Sequence, residues 1–227
     1  MKSFFQRYTP LQIAIHMYGW SALVFLLIDF FTDNLTANPI QALEQRTGRH
    51  AITLLVLALA CSPLNNIFGW RELIKRRRAL GLYAFLYATI HVIIFVDLDF
   101  GLAWSLIVQT IIEKPYILVG MISFLMLLPL AFTSFDIWKK RLGKNWKRLH
   151  QLIYLIAPLV ALHYAWGKKG DFFRLQGEII RPLIYAAVIL IFLIMRIPQV
   201  RKALASMRGR IVLLFRKREP APKVDAA

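Results

Sequence analysis

Residues 79–96 read ALGLYAFLYATIHVIIFV, eighteen residues without a charged side chain and with a single histidine, His91. An α-helix needs about 20 mostly apolar residues to cross the hydrocarbon core of a bilayer, so this stretch predicts a transmembrane helix. Four similar uncharged stretches occupy residues 8–28, 50–70, 115–135 and 149–167. A sixth, at 182–195, extends to 179–197 if Arg181 and Arg196 reach from its ends to the interface. The sequence therefore predicts an all-α fold, a polytopic membrane bundle of six transmembrane helices.

The composition excludes the main alternatives to a membrane bundle. Only 18% of the residues are charged, which is too few to cover six buried helices with a soluble surface. The one cysteine, Cys61, excludes a disulfide framework and a cysteine-based zinc or iron–sulfur site within one chain. We expect residues 1–200 to form one transmembrane domain without an internal repeat, and residues 201–227 to form a basic cytoplasmic tail. The uncharged stretch 100–112 is too short to span and predicts a loop helix at the interface.

The net charge of +17 is distributed unevenly between alternate loops. Residues 1–10, 71–78 and 136–148 and the tail carry 22 of the 29 Lys and Arg residues, and the other three connections carry 7. The positive-inside rule places the richer side, with both termini, in the cytoplasm. The charge is therefore explained by membrane topology and by anionic lipid, and we expect no nucleic-acid partner.

Two histidines lie at nearly the same predicted depth, in the outer half of the bilayer. His91 lies about 18 Å along the third span and His163 about 21 Å along the fifth, and both spans run outward. Two facing neutral imidazoles suit axial ligation of a haem iron, whereas a lone intramembrane histidine often only bonds a neighbouring helix. His150 lies at the inner end of the fifth span and fits a ligand or an interfacial role equally well. His16 and His50 fit interfacial positions.

Motifs for several enzyme classes are absent from the sequence. It contains no G-x-G-x-x-G, P-loop, H-E-x-x-H or G-x-S-x-G pattern. We also expect no dinucleotide domain after the sixth span. If the chain carries electrons, its donor and acceptor must therefore be other proteins or a membrane quinone.

Five segments resemble the MsrQ (YedZ) family, the haem-binding membrane subunits of bacterial periplasmic methionine sulfoxide reductase systems. They are ANPIQALEQRTGRH at 37–50, RRALGLYAFLYATIH at 77–91, KPYILVG at 114–120, LGKNWKRLH at 142–150 and LVALHY at 159–164. The resemblance extends over roughly residues 10–197. It implies a ferric-reductase-like transmembrane domain in the bacterial inner membrane.

The resemblance also implies a cofactor, a ligand set and partners. The cofactor is haem b, with His91, His150 and His163 as the axial ligand set by their positions in these motifs; FMN is associated with the family. Electrons would pass from quinol or a cytosolic flavin reductase to MsrP, a periplasmic molybdopterin subunit that reduces oxidised methionine and so supports protein repair. Sulfoxide reduction itself would occur on that partner. Related membrane domains carry two histidines on each of two helices, but this chain has Arg78 at one of those positions.

Two other functional classes remain open on the residues alone. A small transporter could use the intramembrane histidines as a proton relay, although transporters more often show internal repeats or charged residues at mid-span. A membrane assembly factor would need no cofactor. An absorption spectrum separates both from a haem protein.

Overall fold

The computed structural model describes residues 8–168, 170–171, 176–204 and 206. Its helices are α1 (Pro10–Phe31), α2 (Pro39–Phe68), α3 (Arg71–Ile93), α4 (Trp104–Glu113), α5 (Pro115–Phe132), α6 (Asp136–Leu142), α7 (Lys144–Leu149), α8 (Ile153–Trp166), α9 (Ile180–Ile194) and α10 (Pro198–Leu204). A π-helical turn, Ile94–Asp99, follows α3, and a 3-10 turn, His150–Leu152, precedes α8. The two-residue strands β1 (Gly170–Asp171) and β2 (Gln176–Gly177) pair antiparallel.

The helices confirm an all-α polytopic membrane protein. Five helical segments are long and apolar enough to cross a bilayer, and α9 with α10, bent by 84°, forms the sixth candidate. The predicted loop helix is present as α4. Of the predicted 201–227 tail, only the end of α10 and residue 206 lie among the described residues.

The connections between the long helices define two ends of the bundle. We call the end with residues 71–78 and 136–148 the basic end. The opposite end, with residues 32–38, 97–114, 167–168, 170–171 and 176–179, is the hairpin end. Helices α1, α3 and α8 run from the basic end to the hairpin end, and α2, α5 and α9 run back. His91 and His163 are therefore on helices that run in the same direction.

Helix α2 begins eleven residues before the predicted span 50–70. The Asn38 side chain accepts a hydrogen bond from the Gln41 backbone N–H, and Pro39 occupies the first helical position, both of which favour a helix start. Residues 39–49, which the sequence predicts as loop, are consequently helical. Arg46 in this segment forms an ion pair with Asp29 near the end of α1.

The core lies along α2, which packs closely against α3. Leu54, Leu59 and Cys61 of α2 are each 1% exposed, and Tyr87 of α3 is fully buried. The Tyr87 hydroxyl donates to the Gly19 carbonyl oxygen of α1 at 2.7 Å, so the polar end of this buried ring is satisfied. Helix α5 packs against α8, and this contact is the second one on which the site depends.

Pro63 interrupts the hydrogen-bond ladder of α2, and Arg196 repairs the interruption. A proline has no N–H, so the carbonyl oxygen four residues earlier, on Leu59, lacks its helical donor. The Arg196 guanidinium donates to this oxygen at 2.7 Å and to the Tyr154 hydroxyl at 2.9 Å. The sequence predicts that Arg196 snorkels to the interface, but the structure directs it inward, because an orphaned carbonyl in an apolar environment needs a donor.

We expect Arg196→Leu to destabilise the fold by about 1–3 kcal/mol, the cost of leaving a buried acceptor without a partner. Pro63→Ala restores the missing N–H, so the double variant should lose less than Arg196→Leu alone. Unfolding of the detergent-solubilised protein, followed by circular dichroism, measures both. Arg201→Leu, at an exposed position of α10, serves as control. Equal losses with and without Pro63→Ala would contradict the capping role.

Candidate functional site

The structure places His91 of α3 beside His163 of α8, as their predicted depths suggest. Their ring centres are 6.3 Å apart and their planes are inclined by 73°. Two imidazole nitrogens that bind one metal ion at about 2 Å each bring their ring centres to about 6 Å. The observed separation therefore fits a shared metal ion between the rings.

Both histidines are held by the same kind of hydrogen bond. His91 Nδ1 lies 3.0 Å from the Glu44 backbone oxygen, and His163 Nδ1 lies 2.7 Å from the Tyr116 backbone oxygen. A carbonyl can only accept, so Nδ1 is the protonated nitrogen in each ring. The neutral ring then keeps a lone pair on Nε2, the nitrogen available to a metal.

A glycine one helical turn after each carbonyl gives the ring its space. A Cβ at Gly48 would lie 3.4 Å from His91 Cε1 and Nδ1. A Cβ at Gly120 would lie 2.7 Å from the same atoms of His163, which is closer than a methyl group can approach. Gly120 is thus needed for the position of His163, whereas Gly48 borders His91 at ordinary contact distance.

These contacts form a structural repeat that the sequence does not reveal. Each carbonyl precedes its histidine by 47 residues, and each glycine follows its carbonyl by four residues. In each of the helix pairs α2–α3 and α5–α8, the first helix therefore supplies the carbonyl and the glycine, and the second supplies the histidine. The only sequence signal is the equal spacing of Gly48–His91 and Gly120–His163, which is too sparse to register as a repeat.

A cavity of about 740 Å³ surrounds the two histidines and extends to the hairpin end. Four cationic side chains line its polar part: Arg49, Lys114, Lys168 and Arg181. Lys168 forms an ion pair with Glu178, and its hydrogen bond lowers the pKa of that carboxyl. Glu44 also lines the cavity, and its buried Oε1 has no hydrogen-bond partner among the described residues. Arg49, Lys114 and Arg181 have no ion-pair partner among the described residues, so the polar part can accept a ligand with carboxylate groups.

His150 is not part of this arrangement. It lies in the 3-10 turn before α8, with its ring 4.2 Å from that of Trp146. Its Nε2 is 3.1 Å from the Thr133 hydroxyl, which itself donates to the Pro129 carbonyl oxygen at 2.6 Å. Because that hydroxyl has one proton, it accepts from His150, so Nε2 carries the proton. His150 as a haem ligand stays a prediction.

The other two histidines also have defined places. His16 Nδ1 lies 2.9 Å from the Tyr83 hydroxyl, across α1 and α3. His50 lies three helical turns inside α2, because the helix starts at Pro39. Its interfacial position stays a prediction.

Among the residues that the structure describes, no group of three or more His, Cys, Asp or Glu side chains could hold a metal ion. Two histidines on opposite sides of a large cavity suit instead a metal whose other ligands belong to a planar organic ring. A metal held in this way can undergo one-electron transfer, and its potential depends on its histidine ligands and their hydrogen bonds.

The chain matches a family model at residues 47–161, described as "Ferric reductase like transmembrane component". A protein from Xanthomonas axonopodis pv. citri is 43% identical over 162 residues, 71% of each chain. One from Xanthomonas oryzae pv. oryzae (strain MAFF 311018) is 42% identical over the same share, and one from Herminiimonas arsenicoxydans is 38% identical over 73% of this chain and 74% of its own. All three are called protein-methionine-sulfoxide reductase heme-binding subunit MsrQ. This chain therefore belongs to the MsrQ family of ferric-reductase-like membrane proteins.

We expect Gly120→Ala and Gly48→Ala to act in opposite directions. Alanine in a helix interior gains about 0.8–1 kcal/mol over glycine. At Gly48 this gain should be kept, whereas at Gly120 the methyl group must displace the His163 ring, at a cost of about 1–3 kcal/mol. Thermal unfolding of the two variants measures the difference. Equal stabilities would show that the His163 ring does not occupy the position described.

Proposed function

We propose that this protein is a b-type haem electron-transfer subunit of a methionine sulfoxide reductase system. It carries electrons to a periplasmic molybdopterin reductase of the MsrP type, on which sulfoxide reduction takes place. The observation that supports the proposal is the His91–His163 pair, with both Nδ1 atoms bound to backbone carbonyls and both rings on one cavity. The name of the relatives, which calls them heme-binding subunits, agrees with the proposal.

The residues present fit haem b. His91 and His163 would hold its iron through Nε2. Arg49, Lys114 and Arg181, which line the cavity and have no ion-pair partner among the described residues, are the candidates for its two propionates. Once bound, haem supplies a reversible one-electron couple between ferric and ferrous iron. The chain orients the two imidazoles through the Glu44 and Tyr116 carbonyls and lines the remainder of the cavity around them mostly with apolar side chains. These fixed contacts favour electron transfer over a proton relay, because each Nδ1 is bound to a backbone carbonyl and not to a titratable side chain.

The charge distribution supports an orientation with both termini in the cytoplasm of the bacterial inner membrane. The hairpin end, where the cavity has its polar part, then faces the periplasm and the acceptor. We propose quinol or a cytosolic flavin reductase as the donor. FMN is proposed by family resemblance alone, and the basic residues of 144–148 or 76–78 could hold its phosphate.

We expect His91→Ala and His163→Ala each to lose most of the haem, because each removes an axial ligand. His150→Ala should keep the haem held by that pair, since its side chain lies outside the cavity. The absorption spectrum of each purified variant, with haem counted per protein, measures this. A colourless wild-type protein from haem-replete cells would overturn the proposed cofactor, and full haem in both the His91 and His163 variants would overturn the ligand pair.

Reoxidation of the reduced haem protein tests the proposed acceptor. The dithionite-reduced protein, freed of excess reductant, should be reoxidised by an MsrP-type reductase plus methionine sulfoxide, and neither component should suffice alone. The reduced α band measures the rate. No acceleration by the complete mixture would contradict the proposed acceptor.

We expect reporter fusions to place both termini in the cytoplasm. Alkaline phosphatase, which is active only after export, should be inactive when fused after residue 206 and active when inserted after Asn34. The reverse pattern would contradict the orientation.

A further inference from the structure

We propose that a groove between α1 and α2, lined by Tyr18, Ser21, Arg46 and His50, binds the head group of a membrane hydroquinone that donates electrons. This inference rests on the proposed function and names the site of one of its two donors. The groove is separate from the cavity of His91 and His163, and no residue lines both.

The groove has the position that a ligand dissolved in the bilayer requires. Its volume is about 290 Å³, near the lower limit for small-molecule sites and enough for a single substituted ring. Phe25 and Tyr18 on its rim are 64% and 39% exposed on the outer side of the bundle. That side of a membrane bundle faces lipid, so a ligand with a long apolar tail can enter from the bilayer and leave its tail there.

Two polar groups of the groove lack partners. Neither ring nitrogen of His50, nor the Tyr18 hydroxyl, has a hydrogen-bond partner in the part of the chain that the structure describes. Unpaired polar groups at membrane depth are costly and usually mark functional sites. A hydroquinone carries two hydroxyl groups on opposite sides of its ring and can satisfy an acceptor and a donor together.

The charge of the groove favours a neutral ligand. Arg46 is its only charged residue, and Asp29 neutralises it in an ion pair. A phosphate or carboxylate would therefore find no free cation there. A neutral ring that exchanges hydrogen bonds with His50 and Tyr18 suits the groove better than an anion, and better than an acyl chain, which would leave both groups unsatisfied.

The groove is also next to the proposed haem ligand. The His50 ring centre is 5.5 Å from that of the buried Tyr87, which precedes His91 by one helical turn. On α2, Gly48 borders His91, and His50, two residues later, points to the opposite face of the helix. The groove and the cavity are thus separated by about one helix diameter, ~10 Å.

The redox step balances with the haem iron of the proposed function as oxidant. Oxidation of one hydroquinone to one quinone releases two electrons and two protons. The haem of the proposed function, once bound, would accept these electrons one at a time and pass on the first before it takes the second. The first proton passes from the hydroxyl to a ring nitrogen of His50. Both protons finally leave to water at the hairpin end.

The test uses the full-length, haem-loaded protein in lipid nanodiscs and a decyl-substituted p-benzohydroquinone as reductant. Stopped-flow absorbance follows haem reduction at limiting hydroquinone, and dithionite measures the total reducible haem. We expect His50→Leu to slow reduction by hydroquinone at least tenfold while dithionite still reduces all of the haem. Ser21→Leu, which fills the groove, should have the same effect and serves as a second variant if His50→Leu does not fold.

Two matched controls accompany these variants. His16→Leu removes the histidine of α1 that contacts Tyr83, and Val24→Leu enlarges a lipid-facing side chain of α1 outside the groove. The haem of both control variants should be reduced by the hydroquinone at the wild-type rate. Wild-type rates in His50→Leu and Ser21→Leu, or slow reduction in His16→Leu alone, would overturn the site.

Photo-crosslinking with an azido-decylbenzoquinone locates the quinone-binding site by a measurement that does not depend on haem. Peptide mapping should find the label on residues 18–26 or next to His50, and Ser21→Leu should abolish it. Label elsewhere, or no label, overturns the inference even if the protein is a haem protein. Label in the groove of a protein without haem would sustain the binding site and contradict the proposed function.

Discussion

The hydrogen bonds from two imidazole Nδ1 atoms to backbone carbonyls are the constraint on which the site depends. They link α3 to α2 and α8 to α5, so each histidine is oriented by a neighbouring helix and not by its own. A backbone carbonyl at the start of a helix moves only if the helix moves. The ring orientation is therefore as rigid as the packing of two helix pairs, which is the kind of support that a preorganised metal ligand needs.

This arrangement also explains why α2 extends beyond the apolar stretch. The Glu44 carbonyl and Gly48 lie in residues 39–49, which look like a polar loop in the sequence. The Asn38 cap and Pro39 start the helix at the beginning of this segment, so that the segment is helical. The ion pair with Asp29 neutralises the charge of Arg46 where the segment contacts α1. The polar beginning of α2 thus positions His91, while its apolar remainder forms the core.

Much of the fold could be predicted from the sequence, because bilayer thickness imposes a length and a polarity that are visible in a single chain. The long spans, the loop helix and the proximity of His91 to His163 follow from those rules. The inward turn of Arg196 could not be predicted in this way, since it depends on a carbonyl of another helix that Pro63 leaves without a donor. The anchoring carbonyls of Glu44 and Tyr116 were equally invisible, because a backbone atom leaves no signature in the residue type. Gly120 is visible in the sequence as a glycine, but only its closeness to the His163 ring in the structure explains why no side chain fits there.

Helix α9 has a consequence for the membrane around the protein. Its 15 residues span about 22 Å, whereas a typical hydrocarbon core is about 30 Å thick. A helix that short is in negative hydrophobic mismatch, which a bilayer relieves by thinning locally. Arg181, in the first turn of the helix, draws lipid headgroups and water inward along this flank. Because Arg181 also lines the cavity, the aqueous phase comes nearest to the histidine pair on the α9 side, and a membrane of smaller thickness suits this protein better than a thick one.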